Sequence, residues 1–108
     1  MTSQNTDHRA FALRLEQRVF SEPAETDPDL RRRMGERAAG GSPIAAPYDA
    51  LAHQIGEAAY RVSDAQVAAV RDMVGTDRKA FELIVSAAIG AGLRRWKAGI
   101  AAIEGAAE

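Results

Sequence analysis

The sequence predicts an all-α fold, a helical bundle of about five helices that ends in a long C-terminal helix. Three observations carry this expectation. Apolar residues recur at three- and four-residue spacing through the chain. Helix-start phrases built on Asp or Ser precede several of those stretches, and no segment shows the period-2 alternation of a strand. A chain of 108 residues, 46% hydrophobic and 27% charged, has the size of one domain and enough apolar content to fold. The expected organisation is a flexible tail over residues 1–6 and a single helical domain over 7–108. A coiled coil is the alternative, although no heptad persists.

The first helix is expected from near Asp7. Phe11, Leu15 and Val19 recur at i+4, Phe20 extends the stripe, and Arg9, Glu16 and Arg18 face water. The run from Ser21 to Thr26, with Pro23 inside it, stops that helix. Asp27-Pro28-Asp29 opens a second, because the aspartate caps free N–H groups and the proline presets φ at the first helical position. Its apolar face, Leu30 and Met34, is thin amid Arg31, Arg32, Arg33 and Arg37, and Gly40-Gly41 ends it. The loop from Gly40 to Pro47 is the one marked linker. It is no phosphate loop, since no strand precedes it and no Gly-Lys-Ser/Thr follows.

Pro47 opens a third helix with Tyr48, Leu51, Ala52, Ile55 and Ala59 on one side. Ser63-Asp64-Ala65-Gln66 reads as a capping box for a fourth, whose buried side is Val67, Val70, Met73 and Val74 and whose end is Gly75. Thr76-Asp77 caps the fifth. There Phe81, Ile84, Val85, Ala88, Ile89, Leu93, Trp96, Ile100 and Ile103 follow the 3.6-residue period and are expected to be buried. From Asp77 to Ile103 the rod spans about 40 Å. Gly90, Gly92 and Gly99 each weaken it by roughly 1 kcal/mol relative to alanine, which predicts close backbone packing or a bend near Gly90 to Gly92. Two short N-terminal helices cannot cover so long a stripe, so a homo-oligomer is expected.

Composition excludes several chemistries. Fourteen basic against fifteen acidic residues give a net charge of −1, so no overall field draws nucleic acid. With no cysteine, the chain has no disulfide, thiolate metal site, cysteine nucleophile or CxxC redox centre. With only His8 and His53 available, a multi-histidine metal site would need carboxylates or a second subunit as well; no metal site and no cofactor are expected. Residues Met1 to Arg9 are polar without an apolar targeting core, and the apolar stretch from Phe81 to Leu93 is too short to cross a bilayer. The expectation is a cytoplasmic protein with no membrane contact.

Four residues are candidates for chemistry. Glu82, near the start of the long helix, is either a carboxylate favoured by the helix dipole or, if burial raises its pKa in a pocket, a general base. His53, with Glu57 one turn on, is either a surface pair or an acid/base catalyst oriented by that carboxylate. Arg94, beside Arg95, Trp96 and Lys97, offers a guanidinium fork to a carboxylate, such as that of a small organic acid, or to a phosphate, or solvates the outer face of a helix whose Trp96 is core. Tyr48, with Tyr60, adds a hydroxyl to a ligand pocket or fills a core margin. Arg31-Arg32-Arg33 is surrounded by Glu22, Glu25, Asp27, Asp29 and Glu36, which points to local ion pairs or a subunit contact rather than a nucleic-acid patch.

The order Arg61-Val62-Ser63-Asp64-Ala65-Gln66-Val67, Gly75-Thr76-Asp77, then the glutamate- and alanine-bearing helix from Phe81 to Trp96, resembles the alkylhydroperoxidase D-like, carboxymuconolactone decarboxylase superfamily over residues 44–103. The resemblance implies an all-helical fold that assembles into dimers, trimers or hexamers. Redox members of that family use a CxxC pair, a histidine and a relay glutamate. Here nothing stands in for either sulfur, and Glu82 alone would correspond to the relay acid. The resemblance therefore implies an oligomer without thiol redox catalysis, in a binding or structural role. The alternative is a divergent lyase of the decarboxylase type, acting on a small organic acid through His53 or Glu82.

Overall fold

A computed structural model describes the backbone of residues 2–107 and the side chains of residues 8–105. The chain is all-helical, in the order α1 (Thr2–Phe20), α2 (Pro28–Ala38), α3 (Tyr48–Ala58), a 3-10 turn (Ala59–Arg61), α4 (Asp64–Val74) and α5 (Asp77–Ala107). Helix α1 starts at Thr2 rather than near Asp7, so residues 2–6 of the stretch expected to be a tail are helical. The α5 rod is 31 residues, about 46 Å at 1.5 Å per residue, and it sets the longest dimension of 49 Å. None of the described helices is long and apolar enough to cross a membrane.

The helix boundaries follow from local chemistry. Asp27 caps α2 by accepting from the amide of Asp29 at 3.0 Å, and Pro28 takes the first helical position. Around α4 both arms of the capping box are made: the Gln66 amide donates to Ser63 Oγ at 3.1 Å, and the Ser63 amide donates to Gln66 Oε1 at 3.0 Å. Gly75 ends α4 at φ +95°, a left-handed conformation open to glycine at little cost. Pro47 sits one residue before α3 rather than inside it.

Helix α2 packs against both α3 and α5, backbone on backbone. A Cβ on Gly90 of α5 would fall 2.3 Å from the Gly35 carbonyl oxygen of α2, and a Cβ on Gly56 of α3 would fall 2.0 Å from the Ala38 carbonyl oxygen. The close-packing expectation thus holds at Gly90, whereas nothing lies within 4 Å of a Cβ on Gly92 or Gly99. Met34, Leu51, Val70 and Leu83 are the large side chains buried completely, and alanines at 38, 52, 80, 87 and 91 fill the space between them. Asp49 ties α3 to α2 and to the linker, accepting from the Ile44 amide at 2.9 Å and from Arg37 Nε at 2.8 Å. Those two bonds hold its carboxyl below the usual carboxylate range against a smaller opposing effect of burial.

The buried side of α5 differs from the expected one. Ala80, Leu83, Ser86, Ala87 and Ala91 point inward, while Phe81 is 62% and Ile103 67% exposed, Ala88 is exposed, and Ile84, Val85, Ile89, Leu93, Trp96 and Ile100 are half-buried. The reason is the approach of α2. A helix whose backbone touches its neighbour at Gly35 and Gly90 leaves room there only for small side chains, so the bulky row is turned outward. Phe11 of α1 is likewise 62% exposed, and Met73 of α4 lies outside the core. Among the described residues of α1 only Ala12 is buried, and two surface ion pairs, Arg9 with Glu104 and Lys97 Nζ with Glu16 at 2.6 Å, join that helix to the far half of α5.

Gly90→Ala is expected to lower the unfolding free energy by about 1–3 kcal/mol despite alanine's better helix propensity. Gly105→Ala, in open space on the same helix, is expected to change it by less than about 1 kcal/mol. Urea unfolding of the two variants checks the pair.

Candidate functional site

Glu82 is the most engaged of the four candidates. It projects from the second turn of α5 toward the loop between α1 and α2, with a side chain only 10% exposed. One carboxylate oxygen accepts from the Thr26 hydroxyl at 2.6 Å and the Thr26 amide at 2.9 Å. The other accepts from the Glu25 amide at 3.2 Å and from Arg78 Nε, one turn earlier on α5, at 3.3 Å. Burial pushes this carboxyl up, but the bonds from Thr26, Glu25 and Arg78 outweigh it and hold the group below its ordinary range. A general base needs the opposite shift. Glu82 is a latch that fixes the loop just ahead of the Asp27 cap.

Arg31 completes the latch from the other side. Its guanidinium, on the first turn of α2 and 3% exposed, donates to the Val19 carbonyl and, at 2.5 Å, to the Glu22 carbonyl. It thereby satisfies the Val19 carbonyl in the last turn of α1 and the Glu22 carbonyl in the loop that follows. Its neighbours behave differently: Arg32 and Arg33 both pair with Asp29, the latter at 2.6 Å. The Arg32 hydrogen bond, with Arg33 alongside, keeps the Asp29 carboxyl low. The local ion-pair reading of the arginine run holds for two of its three members; the third is buried.

The other three candidates lie elsewhere. His53 and Glu57 are both exposed on the outer side of α3. Tyr48 is half-buried at the margin of the core, packed against it. Arg94 is exposed and lies against Gly40, and it lines a groove of about 510 Å³ between α1, α2 and α5 whose rim also carries Glu16, Arg32, Glu36 and Lys97. Glu82 lines a different cleft, of about 300 Å³, whose walls include none of His53, Tyr48 or Arg94. The four residues therefore do not converge in either opening. No cluster of three or more His, Asp or Glu placed to hold a metal ion occurs among the described residues.

Two residues of this region escaped the sequence reading. Thr26 is buried and gives Glu82 its shortest hydrogen bond, and Arg31 turns inward from a run that looks uniformly solvated. The i, i+4 spacing of Arg78 and Glu82 was the one readable sign that this glutamate is paired. No family model, curated protein or solved structure matches the chain.

The latch has a pH signature. Because the folded-state pKa of Glu82 lies below its unfolded value, its contribution is fully present above the ordinary carboxyl range and is lost as the pH falls through the folded pKa. Glu82→Gln is expected to destabilise the protein by about 1–3 kcal/mol at neutral pH and to flatten the acid limb of the stability profile. Urea midpoints measured from neutral pH into the acid range check both effects.

Proposed function

We propose that this chain works as a homo-oligomeric helical protein on an alkylhydroperoxidase D-like scaffold, in a binding or structural role and without thiol redox catalysis. One observation carries the reading: α5 is apolar on both sides. Between Leu83 and Leu93 it has no charged residue for three turns, yet the inner face alone is used by the core. A helix that is apolar all round belongs in the interior of something larger. The outer row of Phe81, Val85, Ala88, Gly92, Trp96 and Ile103 runs along one side of the rod. Beside it, Phe11 and Leu15 of α1 wall a groove of about 290 Å³ with Ile89 and Trp96, floored by Ala88 and Gly92.

A second copy of the chain fits this face better than a small ligand does. The outer row from Phe81 to Ile103 is about 33 Å long, and no charged side chain lines the groove. The small residues at 88 and 92 let a partner helix approach closely, as Gly35 and Gly90 do inside the chain. The acid/base lyase reading gains no such support, because Glu82 is saturated with donors and His53 stands apart on α3.

Sedimentation velocity of the full chain is expected to give a dimer or larger species at micromolar concentration. Ala88→Arg, which places a charge at an exposed position, is expected to yield a folded monomer with unchanged helical circular dichroism. A wild-type chain that sediments as a monomer at every concentration contradicts the proposal.

A further inference from the structure

We infer that the cleft between the end of α1 and the first turns of α5 binds a small carboxylic acid with an apolar body. The starting observation is a buried cation without a counter-ion. Arg31 is 3% exposed, its hydrogen bonds go only to main-chain carbonyls, and it forms no ion pair with a described carboxylate. Its Nε is the one buried side-chain polar atom without a hydrogen-bond partner among the described residues. Burying a guanidinium that no anion balances is costly, and an anionic ligand at the cleft it lines relieves that cost.

The remaining walls fit the same ligand. Arg18, exposed on the last turn of α1, forms no ion pair or side-chain hydrogen bond with a described residue. Arg78 is shared between Glu25 and Glu82. Glu82 is the one carboxylate of the lining; counted with Glu25, the other partner of Arg78, it leaves the three arginines one positive charge in excess, and neither Arg18 nor Arg31 is paired with a described carboxylate. Val19, Phe81 and Val85 supply apolar walls to a volume of about 300 Å³, at the small end of ligand pockets. Two guanidiniums beside an aromatic and two valines favour an acid with a ring or short branched chain over a bare inorganic anion. The Arg94 groove is the weaker candidate for this chemistry, because Glu16 and Glu36 share its rim.

Phe81 and Val85 belong both to this cleft and to the outer row of α5, so the two readings share these side chains, and the binding and sedimentation arms of the test tell them apart. The test is calorimetric titration of the full-length protein with phenylacetate, with 2-phenylethanol as the uncharged equivalent and inorganic phosphate as the bare anion. Saturable phenylacetate binding is expected, with a Kd on the order of 1 mM or below. Arg18→Ala, an exposed change outside the latch, is expected to weaken it about tenfold or more while leaving the circular dichroism and the sedimentation coefficient unchanged. Absence of phenylacetate binding, equal binding of 2-phenylethanol or phosphate, or an Arg18→Ala protein that binds as well as wild type overturns the inference.

Discussion

The contact on which the rest of this structure depends is the meeting of α2 and α5 at Gly35 and Gly90. Two helices whose main chains touch have space between them for methyl groups and little else, and the inner face of α5 is accordingly Ala80, Ala87 and Ala91 around one Leu83. The same arrangement recurs where α3 meets α2 at Gly56 and Ala38. A core made this way is thin in apolar volume. Its compensation is close packing, in which many weak dispersion contacts are made at short range, and polar connections at the margins such as Arg37 with Asp49 and Glu82 with Thr26.

Turning the small side inward forces the bulky side outward, and this links packing to function. The outer row of α5 and its neighbours Phe11 and Leu15 of α1 form an apolar surface that a lone chain leaves wet. A second copy covering it would account for three of the four glycines of α5: Gly90 meets α2 within the chain, while Gly92 and Gly99, open to the outside, lie on the side that a partner would approach. One group of charged residues lies at the N-terminal end of the rod, beside Phe81. There Glu82 and Arg31 act from opposite sides on the loop of residues 21–27, one holding its amides and the other its carbonyls.

How much of this was legible in the sequence depends on the range of the interaction. The Asp27 cap, the Ser63–Gln66 box and the Gly75 stop are local, written within four residues, and the structure has each where the chain predicts it. The existence and start of α5 were legible for the same reason, while its end lies four residues beyond the expected Ile103. Which face of α5 turns inward was not, since apolar residues occupy both faces and periodicity alone cannot rank a row of alanines above a row of isoleucines. That ranking is decided by Gly35, fifty-five positions away from Gly90, and nothing local announces the contact. Glu82 was legible only as a carboxylate near a helix start or a general base, because the bonds it makes depend on Thr26, and Arg31 was hidden inside a run of three arginines whose other two members do face solvent.

The chain's single tryptophan reports most directly on the central claim, that the outward face of α5 is made to be covered by another copy. Trp96 is half-buried in the isolated chain and lies on the apolar groove between α1 and α5. Its emission maximum, followed across a dilution series from high micromolar to low nanomolar protein, is predicted to move to longer wavelength as the copies separate and water reaches the indole. An emission maximum that stays at the long-wavelength position of a solvated indole at every concentration would contradict the account.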